Sequence, residues 1–269
     1  MQKLSVVVLS YNEEAVLGKC LSSVSWAGEI ILVDSYSTDR TLEVARRFTS
    51  RIYQHPWQGF GKQKNIALEH ATGPWVLCLD ADESVSPALA REIQEVLAEE
   101  TPTAGFQIPR LTCYQGRFLR HCWYPDYKVR LFRKDRGRWK DEEVHEIVLL
   151  DGPSAKLRHP LFHDSFPTIA DHVEIIQRYT TLGAHQLLRR GKGDPFPLHR
   201  LLGSPLVMFL KLYVLKRGFL DGLPGFVACV LSGFHEFVKY AKLYELRRLR
   251  RARAGAGTDG EGDERSSPG

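Results

Sequence analysis

The 269-residue chain contains no uncharged apolar run of 18 residues or more, so its sequence offers no simple membrane-spanning helix. Near the N-terminus the one apolar run, residues 4–9 (LSVVVL), is short, and Glu13 and Glu14 follow almost at once, so we expect no secretory signal. Cysteine is sparse. The five present (Cys20, Cys78, Cys113, Cys122, Cys229) are odd in number, scattered and never spaced Cys-x-x-Cys. That pattern argues against a disulfide framework or a thiolate zinc site, and for a reducing compartment. We expect a cytoplasmic protein. No internal repeat is present, and no Gly-rich, Arg/Lys-bearing loop of the kind that grips a triphosphate stands near the N-terminus. Apolar residues make up 43% and charged residues 26%, a globular composition that excludes a wholly disordered chain, a collagen-like repeat and a polytopic membrane protein. The formal net charge of +5 is mild, and its distribution says more than its sum.

What the sequence does have is alternation. Residues 4–9 (LSVVVL), 29–34 (EIILVD) and 75–79 (WVLCL) read as buried strands. Residues 14–24 and 38–48 between them carry helical spacing, with Ser37, Thr38 and Asp39 as candidate caps for the second. Strand–helix–strand alternation predicts an α/β fold, a mostly parallel Rossmann-like sheet with helices on both faces. Ligands of such sheets bind beyond the carboxyl ends of the strands. Those positions read Ser10-Tyr11-Asn12-Glu13, Asp34-Ser35 and Asp80-Ala81-Asp82. Carboxylates there are not core residues, because burying them unpaired is costly.

Past residue 101 the pattern shifts to short strand-like pieces rich in aromatic and basic residues: 105–109, 127–133 and 144–150. From 166 it turns helical, over 171–190, 198–217 and 225–249. We therefore expect a catalytic domain over residues 1–165, with its nucleotide half over about 1–100 and its acceptor half over about 101–165. A helical basic-amphipathic region follows over 166–253, and a Gly-, Asp-, Glu- and Ser-rich disordered tail over 254–269.

Asp80 and Asp82 are the most informative pair. Two residues apart in an extended segment, their carboxylates point to one side. Hard oxygen donors at a sheet mouth suit Mg2+ or Mn2+, held partly by a substrate's phosphates. A solvated, helix-capping loop is the plain alternative. The surroundings add to the pair: residues 6–13 (VVVLSYNE), 33–41 (VDSYSTDRT), 59–65 (GFGKQKN) and 79–83 (LDADE) occur in order, each beside a strand end. Together they resemble the motifs of the family 2 glycosyltransferases of the GT-A fold, which move a sugar from a nucleotide diphosphate to an acceptor hydroxyl. Ser35 and Tyr36 depart from the family's usual Asp-Gly, and Lys64 stands where Arg is usual.

The resemblance implies roles. Tyr11 would lie beside a uracil ring and Asp34 would accept a hydrogen bond from it, with Glu13 also on the nucleotide-sugar side. Lys64 would meet the nucleotide or its phosphates. Asp80 would touch ribose or metal-bound water, and Asp82 would bind the cation, with His163 a further cation or phosphate candidate. An inverting transfer also needs a base for the acceptor hydroxyl. In residues 139–146 (WKDEEVHE) Glu146 is the first candidate and Glu143 and Glu142 the next, with His145 orienting the acceptor or a phosphate. A solvated acidic run is the plain alternative.

A closer resemblance, to the lipopolysaccharide core glycosyltransferases of the glucose-adding (WaaE-like) subgroup, rests on residues 124–133 (YPDYKVRLFR), Trp139 and 144–146 (VHE). It rests also on 218–226 (GFLDGLPGF) and 237–243 (FVKYAKL). It implies a UDP-sugar donor, UDP-glucose, and a lipid-anchored, phosphorylated saccharide acceptor, whose phosphates Arg110, Arg117, Arg120, Lys128, Arg130 and Arg133 could meet. Phe226, Val230, Phe234, Phe237, Ala241 and Tyr244 fall in one helical arc, and five arginines follow from Arg247 to Arg253. Such a stripe fits an in-plane helix on the anionic inner face of a membrane, or packing against the catalytic domain or a second copy in a homodimer. Two other readings stand beside this one, a sugar-nucleotide nucleotidyltransferase and a non-enzymatic basic protein that binds membrane or RNA; nucleic acid is not the partner we expect.

Overall fold

The structure, a computed structural model, describes residues 4–140, 147–189, 191 and 198–256. It divides into two compact units, Met1–Pro167 and Thr168–Gly269.

The first unit opens with β1 (Leu4–Ser10), α1 (Leu17–Ser23), β2 (Glu29–Asp34), α2 (Thr41–Arg46), β3 (Ile52–Gln54), α3 (Phe60–His70) and β4 (Trp75–Asp80). β1 pairs in parallel with β2 on one side and β4 on the other, and β3 extends the sheet beyond β2. The three long strands are apolar through their middles because both faces are covered. Val6, Val8, Leu32, Leu77 and Leu79 enter one core with Leu17 and Leu21 of α1. The alternate residues Val7, Ile31, Val33, Val76 and Cys78 enter a second core with Ala67 and Leu68 of α3. This period-two division is the strand's own geometry.

The remainder of the unit is β5 (Glu83–Val85), α4 (Pro87–Ala98), β6 (Gly105–Tyr114), β7 (Arg117–Phe118), β8 (Asp126–Arg133), β9 (Gly137–Trp139), β10 (Val148–Leu150), β11 (Ser154–Lys156) and β12 (Leu161–Phe166). The main sheet runs β3-β2-β1-β4-β8-β6-β12-β5, with β7 and β11 on β6. β8 is antiparallel to both β4 and β6. α4 starts where the sequence stops it from fraying: Ser86 Oγ accepts the Leu89 N–H at 3.1 Å and Pro87 occupies the first turn. Its Leu89 and Ile93 then join the first core.

Two expected helices are shorter than their periodicity suggests. α2 begins only at Thr41: the hydroxyl oxygen of Ser37, an expected cap, accepts the Asn12 N–H at 2.9 Å instead, and Asp39, another, accepts the Thr41 N–H at 2.9 Å. α1 begins at Leu17, after a turn in which the Glu13 carbonyl accepts from Val16 and Leu17.

The second unit holds α5 (Ile169–Arg189), α6 (Leu198–Leu210), a π turn (Lys211–Leu215), a 3-10 turn (Gly218–Asp221) and α7 (Gly222–Ala256). Lys242 of α7 fastens α5 by donating to the Gln177 carbonyl at 2.8 Å and to the hydroxyls of Thr180 and Thr181 at 2.9 and 2.8 Å. Ala184, Tyr240 and Leu243 form the apolar contact beside it. The helix expected over 198–217 is interrupted. Pro205 sits inside α6, where it has no N–H for the Leu201 carbonyl, and the last turn before Lys216 is π-helical. By length and composition Leu198–Leu215 and Gly218–Arg250 could each cross a membrane, although Arg200 and Lys211 lie within the first. α7 runs to Ala256, past the residue 254 at which a disordered tail was expected; residues 257–269 lie outside the described residues.

Candidate active site

Sheet register gathers the motifs. Ser10 lies beside Asp34 and Leu9 beside Asp80, so the carboxyl ends of β1, β2 and β4 form one edge. The first two strands are tied just past that edge by the Ser35 N–H on the Ser10 carbonyl at 3.0 Å. Asn12 follows with φ 55, a left-handed conformation that Asn tolerates better than most residues. Its N–H donates to Ser37 Oγ at 2.9 Å and its Oδ1 accepts the Thr38 N–H at 2.8 Å. The loop so held leaves the Tyr11 ring 58% exposed at the mouth, and Tyr36, where the family usually has Gly, 54% exposed on the neighbouring turn.

Asp34 is fully buried. Its Oδ1 accepts from the Ser10 hydroxyl at 3.0 Å and from the Ser37 hydroxyl. Its Oδ2 accepts from the Ser37 N–H at 2.9 Å and the Gln54 amide at 3.1 Å. A carboxylate has about four lone-pair sites, so this one is full.

The densest electrostatics lie at the end of β4. Asp80 Oδ1 is 2.8 Å from Lys64 Nζ, and its Oδ2 is 2.6 Å from Arg130 Nη2. Burial opposes ionisation of Asp80, but Arg130 and then Lys64 outweigh it and hold the carboxyl well below the usual carboxylate range. Both cations are buried themselves, and Lys64 Nζ stands 4.5 Å over the Trp139 ring. Arg130 also reaches the fully buried Glu83 at 2.8 Å, and Glu83 Oε2 accepts the Asp80 N–H at 3.1 Å. Arg110 approaches Glu83 at 3.6 Å and pairs with Asp126 at 2.8 Å. Arg130 thus neutralises carboxylates inside the chain, whereas Arg110, partly buried, pairs with the partly exposed Asp126 and approaches Glu83.

Asp82 sits on the turn between β4 and β5, its side chain 31% exposed and 3.2 Å from His163 Nε2. His163 is brought there by β12, which pairs it opposite Glu83, and the Asp164 N–H holds the Asp82 carbonyl at 3.0 Å. Glu13 lies close to both aspartates. Its carboxyl is pushed up to about 7, first by burial and then by the charges of Asp82, Asp39 and Asp80. Among the described residues no three His, Cys, Asp or Glu side chains converge to cage a metal. The site offers a partial set, Asp82 with His163 beside it, which fits an ion that takes its other ligands from phosphates and water.

Glu142, Glu143, His145 and Glu146 lie outside the described residues. Their flanks are described: the Lys140 N–H donates to the Ile147 carbonyl at 2.9 Å, and the Asn65 side chain clamps the backbone of Trp139 with two 2.9 Å hydrogen bonds. Sequence reasoning missed Glu83, Gln54 and the Asn65 clamp. Asn65 and Glu83 had a signal, as the last residues of the third and fourth motifs; Gln54 had none.

The profile of the family described as glycosyl transferase family 2 matches residues 5–151, more than half of the chain, including the ends of β1, β2 and β4 but not β12 with His163. The chain belongs to glycosyl transferase family 2. The lipopolysaccharide core biosynthesis glycosyltransferase LpsC of Rhizobium meliloti is 30% identical to this glycosyltransferase over 259 residues, covering 92% of this chain and 94% of that one. An uncharacterized glycosyltransferase of Rickettsia typhi is also 30% identical, with 91% and 88% covered. In fold, the glycosyltransferase resembles the mannosyltransferase PcManGT from Pyrobaculum calidifontis, solved in complex with GDP-Man and Mn2+. The TM-score is 0.54 at 16% identity, with 90% of this chain and 87% of that one covered. The α/β, GT-A fold expected from the sequence is present, with helices on both faces of the sheet and a helical C-terminal extension. Family membership sets the nucleotidyltransferase and non-enzymatic readings aside.

Proposed function

We propose that this glycosyltransferase inverts configuration while moving a sugar, glucose, from a UDP-sugar to a hydroxyl of a lipid-linked saccharide of the lipopolysaccharide core type. The work is placed at the inner face of an anionic membrane. The observation that carries the reading is the strand-end cluster itself: Asp80 between Lys64 and Arg130, with Asp82 and Glu13 beside it. The acceptor class draws on the similarity to LpsC over nearly the whole of both chains.

Each residue then has a task. Tyr11, exposed at the mouth, lies against the base. Asp34, its acceptor sites full, holds the floor of that pocket through Ser10, Ser37 and Gln54 rather than spending a lone pair on the base. Lys64 and Arg130 present positive charge beside the diphosphate while keeping Asp80 ionised and oriented. Asp82 would hold Mg2+ or Mn2+, with Asp80 and His163 alongside. When bound, the ion supplies positive charge against the charge that grows on the departing diphosphate. Glu146 would take the acceptor's proton, with Glu143 and Glu142 next in line and His145 orienting the acceptor.

Thermal melting of the chain with a panel of nucleotide sugars and Mn2+ tests the donor. UDP-glucose should raise Tm by more than GDP- or ADP-sugars do, since only a ligand of the folded state stabilises it. Asp82→Asn should keep the melting curve without ligand and lose transfer by about a hundredfold or more. Full turnover by that variant, or in metal-free buffer, would overturn the assignment.

A further inference from the structure

The second unit carries a surface that transfer does not use. α6 has no buried residue. Leu202, Leu206 and Val207 are 68%, 58% and 64% exposed, and on α7 Leu223, Phe226, Val230 and Phe234 are exposed as well. The two helices are seated against each other closely: a Cβ on Gly233 would fall 2.9 Å from the Pro205 carbonyl oxygen. Phe209, stacked on Tyr213 at 5.2 Å, meets Phe226 edge-on. The apolar side chains outside this seam therefore face outward from a fixed pair.

Charge and length say what covers them. Between residues 198 and 234 the one acidic residue is Asp221, which is buried, whereas Arg200, Lys211, Lys216 and Arg217 are exposed. Arg200 and Lys211 bracket one uncharged body, residues 201–210, and Lys216 and Arg217 stand ahead of a second, residues 222–234, which ends at His235 and a Glu236 paired with Lys239. At 1.5 Å per residue the bodies are about 15 and 20 Å long, short of the ~30 Å hydrocarbon core. Inserted end-on, the pair would carry Lys211, Lys216 and Arg217 into hydrocarbon. Laid flat, it sinks its apolar side chains and leaves every cation at headgroup level. A second copy fits less well. A two-fold pairing apposes a patch with itself, and this patch offers cations without acids to answer them.

We propose that α6 and the first half of α7 form a two-helix raft lying in the plane of one leaflet, with its cations on anionic lipid headgroups. This deepens the membrane placement given above and rests on the second unit's own surface.

Flotation of the full chain with vesicles containing about one-third phosphatidylglycerol, against neutral phosphatidylcholine vesicles, tests it without donor or acceptor. Binding should prefer the anionic vesicles. Leu202→Glu with Leu206→Glu should weaken it at least about tenfold, while leaving the circular dichroism and the nucleotide-sugar melting shift unchanged. Lys216→Gln with Arg217→Gln should weaken anionic binding roughly 30-fold, about fivefold per cation. In a Cys113→Ser background, Lys216→Cys on vesicle-bound protein should react with an impermeant maleimide added outside. The proposal falls if wild-type protein does not float, or if the leucine variant floats undiminished. It falls also if Lys216→Cys reacts only after the vesicles are opened, the result for a spanning hairpin, or if the leucines prove to be buried in a soluble dimer. A failed donor assay with intact flotation would instead sink the transfer reading and leave the raft standing.

Discussion

Replacing Arg130 by methionine tests whether one guanidinium holds the carboxylate cluster at the end of β4. The side chain is 4% exposed, with Nη2 2.6 Å from Asp80 and 2.8 Å from the fully buried Glu83. Methionine keeps an unbranched apolar stem and removes the charge. Stranding a buried partner costs about 3–5 kcal/mol. Here the lower end applies, because Asp80 keeps Lys64 at 2.8 Å and Glu83 keeps the Asp80 N–H at 3.1 Å. At ~2–4 °C per kcal/mol for a folding unit of this size, the expected fall in Tm is about 6–12 °C. Circular dichroism against temperature and urea reads it. Adding Glu83→Gln removes the stranded charge, so the double variant should be more stable than the sum of the singles by about 1–3 kcal/mol. A pH arm gives a second check. Asp80 has a depressed folded pKa, so the stability it contributes is present above the ordinary carboxylate value and is lost as pH falls toward the folded value. The wild type should therefore lose stability more steeply than Arg130→Met below roughly pH 4. A loss under about 1 kcal/mol that adds simply to that of Glu83→Gln would refute the reasoning.

Glu146→Gln should spare UDP binding, read by thermal shift, and reduce transfer by about 10²–10⁴-fold; a small loss would move the base to Glu143. Glu13, with its folded pKa raised to about 7, binds a proton that the unfolded chain has already released, so stability should fall as pH rises from about 4.5 to 7. Urea midpoints of Glu13→Gln across that range should slope less than those of the wild type. Gly233→Ala drives a methyl group against the Pro205 carbonyl and should cost about 1–3 kcal/mol, read as an earlier urea midpoint of the second unit.

The parallel half of the sheet was legible because its strands are apolar on both faces and its motifs follow them directly. Asp80 and Asp82 could be singled out for the same reason: a carboxylate at a strand end has no place in a core unless partners meet it, as they do Asp34. What the sequence hid are pairings made by β8. That strand runs antiparallel beside β4, with Leu131 opposite Leu77, and it carries Arg130 to carboxylates 47 and 50 residues away. No local pattern in YPDYKVRLFR distinguishes Arg130, which is buried, from Lys128, which is exposed. Asp34 shows the opposite limit. Its position at the strand end reads as an open ligand contact, but Gln54, 20 residues on, completes its shell of donors and closes it. The second unit's periodicity was legible, while the continuation of α6 through Pro205 and the π turn after it required the fold.

The charges at the strand ends constrain how a nucleotide diphosphate enters. Lys64 and Arg130 are balanced one for one by Asp80 and Glu83 and lie within hydrogen-bond distance of them. Their positive charge is therefore largely spent inside the protein. Beyond them stand Asp82, Asp39 and Glu13, and burial first, then the charges of Asp82, Asp39 and Asp80, raise the Glu13 pKa, so one more negative charge there is resisted. A diphosphate brings at least two more. Drawing Lys64 or Arg130 toward it would strand Asp80 or Glu83 at the cost already worked out for Arg130, so the cage cannot supply the compensation alone. In the function proposed above, positive charge arrives with the donor, and Asp82, partly exposed and anchored by its carbonyl to Asp164, is the carboxylate that would receive it. The same electrostatics give the cage a task in that reading: Arg130 and Lys64 hold Asp80 well below the usual carboxylate range, so an arriving cation would meet it already ionised.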